Sequence, residues 1–419
     1  MQFFKWLYPG IGIKRWVVLC LLGFALIAGV ALSAIQTISK VSILMASLAM
    51  AVLIFGTFLV FTAIKNMVRI FVRALMPPNR ADRLVDMVYA KRQNESLERG
   101  PRVVAVGGGT GLSALLSGIK FYTNNISAIV TVTDTGGSSG RLRDEMDMLP
   151  PGDIRNCLVA LADTEQLIRD LFQYRFEVGE GLKGHSFGNL FITALSKVTG
   201  DFERAVSESS KVLAIRGRVI PSTLQNVTLV GEFEDGSVVE GETNITDQQK
   251  VLRNIRLRPP DCNACKDAID AIENADLIIL GPGSLYTSVL PNLLIRDIFN
   301  AILRSDAYKM YVMNVMTQPG ETDYMSGWDH LRVLLEHTDP RILEACVVNT
   351  QEIPDDMIQK YAAKGAQTVH VDKKLIREKG YELVEGDILK IDGQVRHNSP
   401  KLARIIFEHY YKMTKAARV

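Results

Sequence analysis

Val103 to Leu112 reads V-V-A-V-G-G-G-T-G-L, an apolar, β-branched run that gives way to Gly107, Gly108, Gly109, Thr110 and Gly111. The run has the composition of a buried strand. Four glycines among five positions let the chain turn sharply and bring backbone N–H groups close to a ligand. The following stretch, Leu112–Lys120, reads as a helix, whose N-terminus offers unpaired N–H groups and partial positive charge. Strand, glycine turn and helix together predict an anion site, a nucleotide phosphate first of all.

From Pro101 onward, short apolar runs alternate with helical stretches. That pattern reads as an α/β fold, a Rossmann-like, mainly parallel sheet flanked by helices. Strands are predicted at Arg102–Val106, Ala128–Thr133, Leu277–Leu280, Met310–Asn314, Ala345–Val348 and Thr368–Val371. Helices are predicted at Ile154–Ala162, Glu165–Tyr174, Asn189–Thr199, Glu203–Ala214, Ala264–Glu273, Asn292–Arg304, Asp329–His337 and Pro400–Lys415. Between Val227 and Thr243 the residues alternate around Asp235-Gly236, which predicts a small β-hairpin insertion.

The chain has 419 residues, 47% of them hydrophobic, and the apolar excess lies in the first 64. Trp16–Ile35 and Ser42–Ile64 carry no charged residue, and each is long enough for a hydrocarbon core of about 30 Å. Only Gln36–Val41 separates them, so a two-helix transmembrane hairpin (spans 16–35 and 42–64) is predicted. Lys5, Lys14 and Arg15 precede it, and Lys65, Arg69, Arg73, Arg80 and Arg83 follow it, while the connection holds Lys40 alone. The positive flanks place both termini and the main domain on the cytoplasmic side of the membrane, with Trp6, Tyr8 and Trp16 as interfacial anchors. The chain thus divides into a hairpin in the bilayer (1–64), a basic juxtamembrane linker (65–100) and a cytoplasmic domain (101–419). A fragment starting near Glu98 is expected to fold alone.

Charges nearly balance, with 48 basic and 46 acidic residues and a net charge of +2, which excludes a bulk-basic nucleic-acid binder. Five cysteines at 20, 157, 262, 265 and 346 form no disulfide framework and indicate a reducing compartment. Cys262-x-x-Cys265 lacks the second ligand pair of a zinc site, so no metal site is expected.

Five further loops resemble the first in logic. In T-D-T-G-G-S-S-G-R-L-R, Asp134 sits at a strand end, where dinucleotide folds place an acid on ribose. There Gly136, Gly137, Ser138 and Ser139 form a second anion nest, and Arg141 and Arg143 supply permanent charge. In P-P-G-D-I-R-N, Asp153 is suited to cap a helix from which Arg155 and Asn156 project. His185 in G-H-S-F-G-N is placed to orient a substrate or act as a base, with Asn189 close behind. In G-P-G-S-L-Y-T-S, Gly281, Gly283, Ser284, Leu285, Tyr286 and Thr287 repeat the strand, turn and helix pattern. The last loop, N-V-M-T-Q-P-G-E-T, offers Asn314 and Thr317. Polar loops at the carboxyl ends of parallel strands are where open α/β sheets bind ligands. Leu112 replaces the third glycine of a G-x-G-x-x-G fingerprint, and the Lys-Ser/Thr ending of a Walker loop is missing, so neither nicotinamide nor P-loop chemistry is indicated.

Taken in order, these loops resemble the family that joins the 2-phospho-L-lactate transferases (CofD) to the YvcK-type proteins, or gluconeogenesis factors. The match runs from about Pro101 to His397 and is closest to the YvcK branch. The resemblance implies a ligand of the UDP-sugar class, UDP-N-acetylglucosamine above all, with no required cofactor. It implies regulation of cell-wall precursor supply and of cell shape on gluconeogenic carbon. By the same resemblance, Gly108 to Gly111 and Gly281 to Ser284 hold the diphosphate, and Asp134 with Asn189 fixes the nucleoside or sugar. The alternative is a phosphotransferase on a nucleoside-diphosphate-activated donor, using Asp134, Asp153 and His185 with Mg²⁺. The partners implied are a protein of amino-sugar or cell-wall synthesis and a second copy of the chain. Gly109→Val is expected to abolish ligand binding by blocking backbone approach, read as loss of ligand-induced thermal stabilisation.

Overall fold

The computed structural model describes residues 14–36, 43–75 and 95–416. They fall into two units, Met1–Gln93 and Asn94–Val419.

In the first unit, α1 (Lys14–Gln36) and α2 (Ile43–Leu75) are long and apolar enough to cross a membrane. They pack closely where Gly23 meets Gly56, since a Cβ on Gly23 would lie 2.8 Å from the Gly56 carbonyl oxygen. Gly29 faces open space. Leu21, Phe24, Phe55, Phe58 and Phe61 point outward, so the outer surface is apolar. The second helix continues past Ile64 into the expected linker. The hairpin connection, Lys5, Trp6, Tyr8 and linker residues 76–94 lie outside the described residues.

The second unit is built on twelve strands: β1 (Val103–Gly107), β2 (Ile126–Val130), β3 (Arg218–Pro221), β4 (Thr228–Phe233), β5 (Val238–Glu240), β6 (Leu252–Arg258), β7 (Leu277–Leu280), β8 (Tyr308–Val312), β9 (Ala345–Asn349), β10 (Glu382–Gly386), β11 (Leu389–Ile391) and β12 (Val395–His397). Seven of them form one all-parallel sheet in the order β10-β9-β8-β7-β1-β2-β3. The central strands β1, β2 and β7 are buried throughout, which explains their unbroken apolar sequences. Helices cover both faces, among them α3 (Gly109–Ile119), α4 (Gly137–Met146), α5 (Gly152–Leu161), α6 (Gln166–Gln173) and α7 (Phe187–Thr199).

The architecture is the Rossmann-like one expected, with local corrections. Thr368–Val371 makes a single bridge, Met316↔Thr368, and the edge strand is β10 instead. The Y-E-L-V-E-G sequence hides that strand because Glu382 and Glu385 interrupt it; Glu385 pairs with Lys373 and Arg377. The other edge, β3, is a four-residue strand ending in proline, too short to stand out. Asn292–Arg304 breaks between Leu290–Leu293 and Arg296–Arg304. The predicted hairpin is present and gains β6 as a third strand.

The second unit begins earlier than Pro101. Leu97 is buried, and its carbonyl accepts hydrogen bonds from Gly100 N at 3.1 Å and Asn124 N at 3.0 Å. A fragment starting at Asn94 should therefore fold without detergent and melt roughly 5 °C above one starting at Glu98. Equal melting temperatures, or aggregation of the longer fragment, would contradict this boundary.

Candidate functional site

Strand order fixes the position of the site. From β1 the chain builds one half of the sheet through β2 and β3, then returns to the other side of β1 with β7 and continues to β10. The turns after β1 and β7 therefore diverge at the point where strand order reverses, which opens a crevice. They still touch: a Cβ on Gly111 would lie 2.5 Å from the Pro282 carbonyl oxygen. Gly109 has φ +62°, a left-handed conformation that disfavours a side chain, so Gly109→Val strains the backbone as well as blocking approach.

A cleft of about 620 Å³ occupies this crevice. Its floor is Gly108, Gly109, Thr110 and Gly111, joined by Gly283, Ser284, Thr287 and Ser288 from the turn after β7. Asn314 to Pro319, after β8, form one side. The facing wall brings Tyr361, Lys364, Gln394, Arg396 and His397 from the C-terminal segment. That wall has a small core of its own, in which Ile353, Met357, Leu389 and Val395 pack with Val315, Met316 and Tyr361. Lys364 and Arg396 are exposed on it, and among the described residues neither side chain has a salt-bridge or hydrogen-bond partner. Nothing local in sequence marks these two cations; only tertiary packing brings them opposite the first glycine turn.

The second glycine turn differs from expectation. The Glu321 carboxylate accepts hydrogen bonds from the backbone N–H groups of Tyr286 and Thr287. The Ser284 hydroxyl and Gln318 Nε2 (2.6 Å) donate to it as well, and Thr287 Oγ1 lies 3.2 Å away. An internal carboxylate thus takes the Ser284 and Thr287 hydroxyls of this turn, while Gly283 N donates to Asn314 Oδ1 at 3.4 Å. Leu285 and Tyr286 are core residues, and Gly281 provides the turn with φ +73°. Burial pushes the Glu321 carboxyl up to about 7 despite these hydrogen bonds. Glu242, carried into the cleft by the short helix Glu242–Asp247 of the β insertion, is also raised. Burial is the main cause there, followed by the charges of Asp134, Asp153 and Glu321.

Behind the floor the remaining motifs form one polar knot. Ser138 Oγ lies 2.9 Å from His185 Nδ1, and Asn189 Nδ2 donates to Ser138 Oγ at 3.0 Å. Arg155 donates to Asn189 Oδ1 at 2.8 Å, to Asn156 Oδ1 at 2.7 Å and to the Ser186 hydroxyl. Both ends of the Asn189 amide are therefore engaged within the protein, tying α7 to α4 and α5. Asp134 accepts from Gly136 N at 2.8 Å, and Ser139 packs against Gly152. Asp153 does not cap α5; its Oδ2 sits under the first turn, where a Cβ on Gly108 would approach to 2.6 Å. Burial, with Asp134 second, raises the Asp153 carboxyl to about 7. Burial also lowers His185, which is neutral at pH 7.

Three more expectations change. The Gly136-to-Arg143 segment is the start of α4 rather than an open nest, with Gly137 at φ +48° as its first residue. Arg143 is buried and clamps the β insertion through Val227 O and Thr228 Oγ1, both at 2.9 Å. Arg141 donates to Lys183 O at 2.9 Å, away from the cleft. Gly107 belongs to β1, and Thr317 lines the cleft while its Oγ1 accepts from Gln367 N at 2.8 Å. Cys262 and Cys265 are buried, and Cys265 Sγ donates to Glu203 Oε1 at 3.2 Å, a packing arrangement.

Fold and cleft together define a Rossmann-like protein with a cleft at its topological switch point. The family model described as 2-phospho-L-lactate transferase CofD matches residues 103–389. The gluconeogenesis factor of Bacillus subtilis is 45% identical over 309 residues, which cover 74% of this chain and 98% of its own. A relative from Clostridium acetobutylicum is 42% identical over 418 residues, 97% of this chain and 92% of its own. A crystal structure of a Bacillus halodurans protein superimposes with a TM-score of 0.72 at 46% identity, over 74% of this chain and all of that one. The chain belongs to the CofD family, in its branch of gluconeogenesis factors. The Clostridium match is too long to omit the two N-terminal helices, whereas the Bacillus subtilis match, containing the family domain, is too short to include them. Long and short forms therefore coexist among the relatives.

The raised carboxyls have a sign. Asp153 and Glu321 titrate near 7 in the folded chain and near 4 when unfolded, so the folded state holds more protons between those values. Their contribution to stability falls as pH rises from about 4 to about 7 and is flat above. The melting temperature should drop across that window, and Asp153→Asn together with Glu321→Gln should flatten the profile. An unchanged slope in the double variant would show that these groups do not set it.

Proposed function

We propose that the cleft binds a nucleoside-diphosphate sugar, UDP-N-acetylglucosamine in the first place, and that the protein is a membrane-anchored regulator of carbon flow into cell-wall precursors and of cell shape. The observation that carries this reading is the pairing of the first glycine turn with the unpartnered cations Lys364 and Arg396 across one cleft. Backbone N–H groups on one side and fixed positive charge on the other suit a diphosphate. Gln318, Gln394 and Asn314 line the same cleft and offer both donors and acceptors to a sugar. The uridine and the amino sugar rest on the family resemblance. A regulatory role is supported by the commitments of the reactive groups: Ser284 and Thr287 are bonded to Glu321, and Ser138 to His185. The two apolar helices support the anchor, and the positive flanks support a cytoplasmic domain. Homo-oligomerisation and a protein partner in amino-sugar synthesis belong to the same proposal.

The transferase reading is favoured by one observation: Asp153 lies beneath the first turn, raised to about 7 by burial and by the nearby charge of Asp134. Both carboxylates are hard oxygen donors of the kind Mg²⁺ uses.

A thermal-shift series separates the two. UDP-N-acetylglucosamine should raise the melting temperature in a concentration-dependent way without added metal. Lys364→Ala and Arg396→Ala should each weaken that binding by about tenfold, more at low salt than at high. Stabilisation by a guanosine-diphosphate-linked donor, with Mg²⁺-dependent turnover, would replace the regulator by the transferase.

A further inference from the structure

On the nucleotide-sugar reading of the cleft, on which this inference rests, we propose that Glu242 recognises the sugar end of the ligand. Its carboxyl donates a hydrogen bond to a hydroxyl or acyl oxygen of the sugar.

The β insertion delivers this side chain and holds it in place. Gly241, at φ +91°, turns the chain after β5, and its N–H donates to Leu229 O at 2.8 Å. Thr243 N donates to Thr135 Oγ1 at 3.3 Å, tying the short helix Glu242–Asp247 to the loop after β2. From the loop after β8, Gly320 packs so tightly that a Cβ would lie 2.2 Å from Thr246 O. Wedged between two loops, with Ile245 buried, the helix puts Glu242 in the cleft lining at Thr287. Glu242 thus borders the second turn, while the cations Lys364 and Arg396 face the first. A diphosphate held by those cations leaves its sugar on the Glu242 side.

Glu242 and Glu321 both bond the Thr287 hydroxyl, but their surroundings differ. Glu321 also accepts from the Ser284 hydroxyl, from Gln318 Nε2 at 2.6 Å and from the backbone N–H groups of Tyr286 and Thr287. A donor set of that size favours the anion. Glu242 has the Thr287 bond, and the charges that act on it most are all negative. Asp134 brings one from the loop after β2, Asp153 one from α5 and Glu321 one from the loop after β8. Arg143, on α4, is turned to Val227 O and Thr228 Oγ1, and Tyr361, Lys364, Arg396 and His397 belong to the facing wall. Burial, followed by the three carboxylate charges, raises the Glu242 carboxyl well above its ordinary range and keeps its proton on. A protonated carboxyl is an uncharged O–H donor that does not repel a diphosphate.

The test is calorimetric titration of UDP-N-acetylglucosamine into the full chain in detergent, with melting temperature as the fold control. At about pH 6, Glu242→Ala should weaken binding about tenfold, and Glu242→Gln, which keeps an uncharged donor, should recover most of that loss. Asp153 and Glu321 titrate in all three proteins, so Glu242→Ala is the reference for pH. Between about pH 6 and about 9, wild type should lose its advantage over that reference while Glu242→Gln keeps it. Equal affinities for Glu242→Ala and Glu242→Gln, or a wild-type advantage that does not change with pH, would overturn the proposal. So would a melting temperature raised by Mg²⁺ alone in wild type and not in Glu242→Gln, which would make the carboxyl a cation ligand. These results leave the nucleotide-sugar reading standing, because wild type still binds. A wild type that binds no UDP-N-acetylglucosamine at any pH would overturn that reading, and the role of Glu242 with it.

Discussion

Two backbones meet at the centre of the molecule where no side chain fits. Gly111 and the Pro282–Gly283 peptide approach so closely that a Cβ would overlap a carbonyl. That contact sits between β1 and β7, the pair at which strand order reverses. With a bulkier residue at Gly111 the two turns would be forced apart, and the Asn292 amide would lose its register across Gly107 O and Ser288 O. The sheet can be doubly wound and still present both turns to one cleft because the chain is glycine there. The cleft follows from that single steric allowance.

Electrostatics then divide the cleft. A carboxylate sits at each turn: Glu321 takes the Ser284 hydroxyl of the second, and Asp153 lies under the first. The uncommitted cations Lys364 and Arg396 stand on the wall facing the first turn. An anionic ligand is therefore drawn toward Gly108–Gly111 and away from Glu321 and Glu242, whose negative charge would repel it. Burial, by raising these carboxyls, weakens the repulsion they exert when protonated. Polarity within one pocket thus gives a ligand a direction: its phosphates to one end, its hydroxyl-bearing part to the other.

The sheet was legible from its buried strands, since Leu277–Leu280 and the β1 run are apolar without interruption and end in glycine. The edges were not, because β3 and β10 are short and half polar, and their strand character comes from pairing with a neighbour. The floor of the cleft was legible for the same reason as β1: glycines after a strand signal a backbone that must bend or approach. The wall was not. Lys364 and Arg396 belong to unremarkable polar stretches, and their importance exists only after the C-terminal segment packs on Val315 and Met316. Local reading found motifs but not the bonds between them. Asn189, Arg155 and Ser138 are hydrogen-bonded to one another, which no local pattern shows. Glu321 was visible as a residue but not as an occupant, since no sequence pattern shows a side chain folding back onto a turn thirty-odd positions earlier.

The knot that absorbs those motifs is still part of the function. Ser138 lies on α4, Arg155 on α5 and Asn189 on α7, and one chain of hydrogen bonds joins all three. Asp153, on α5, presses against the first turn, and Asp134 lies against Gly136 and Gly152. A ligand phosphate that shifts Gly108 or Gly109 must therefore act on Asp153, and through it on α5 and its bonds to α7. The segment after α6 rejoins the fold at His185, inside that knot. Physical continuity thus runs from the glycine turn to α7 through buried polar groups, although Arg155 Nε has no partner. Such groups resist partial rearrangement because each broken hydrogen bond leaves an unsatisfied partner in the interior.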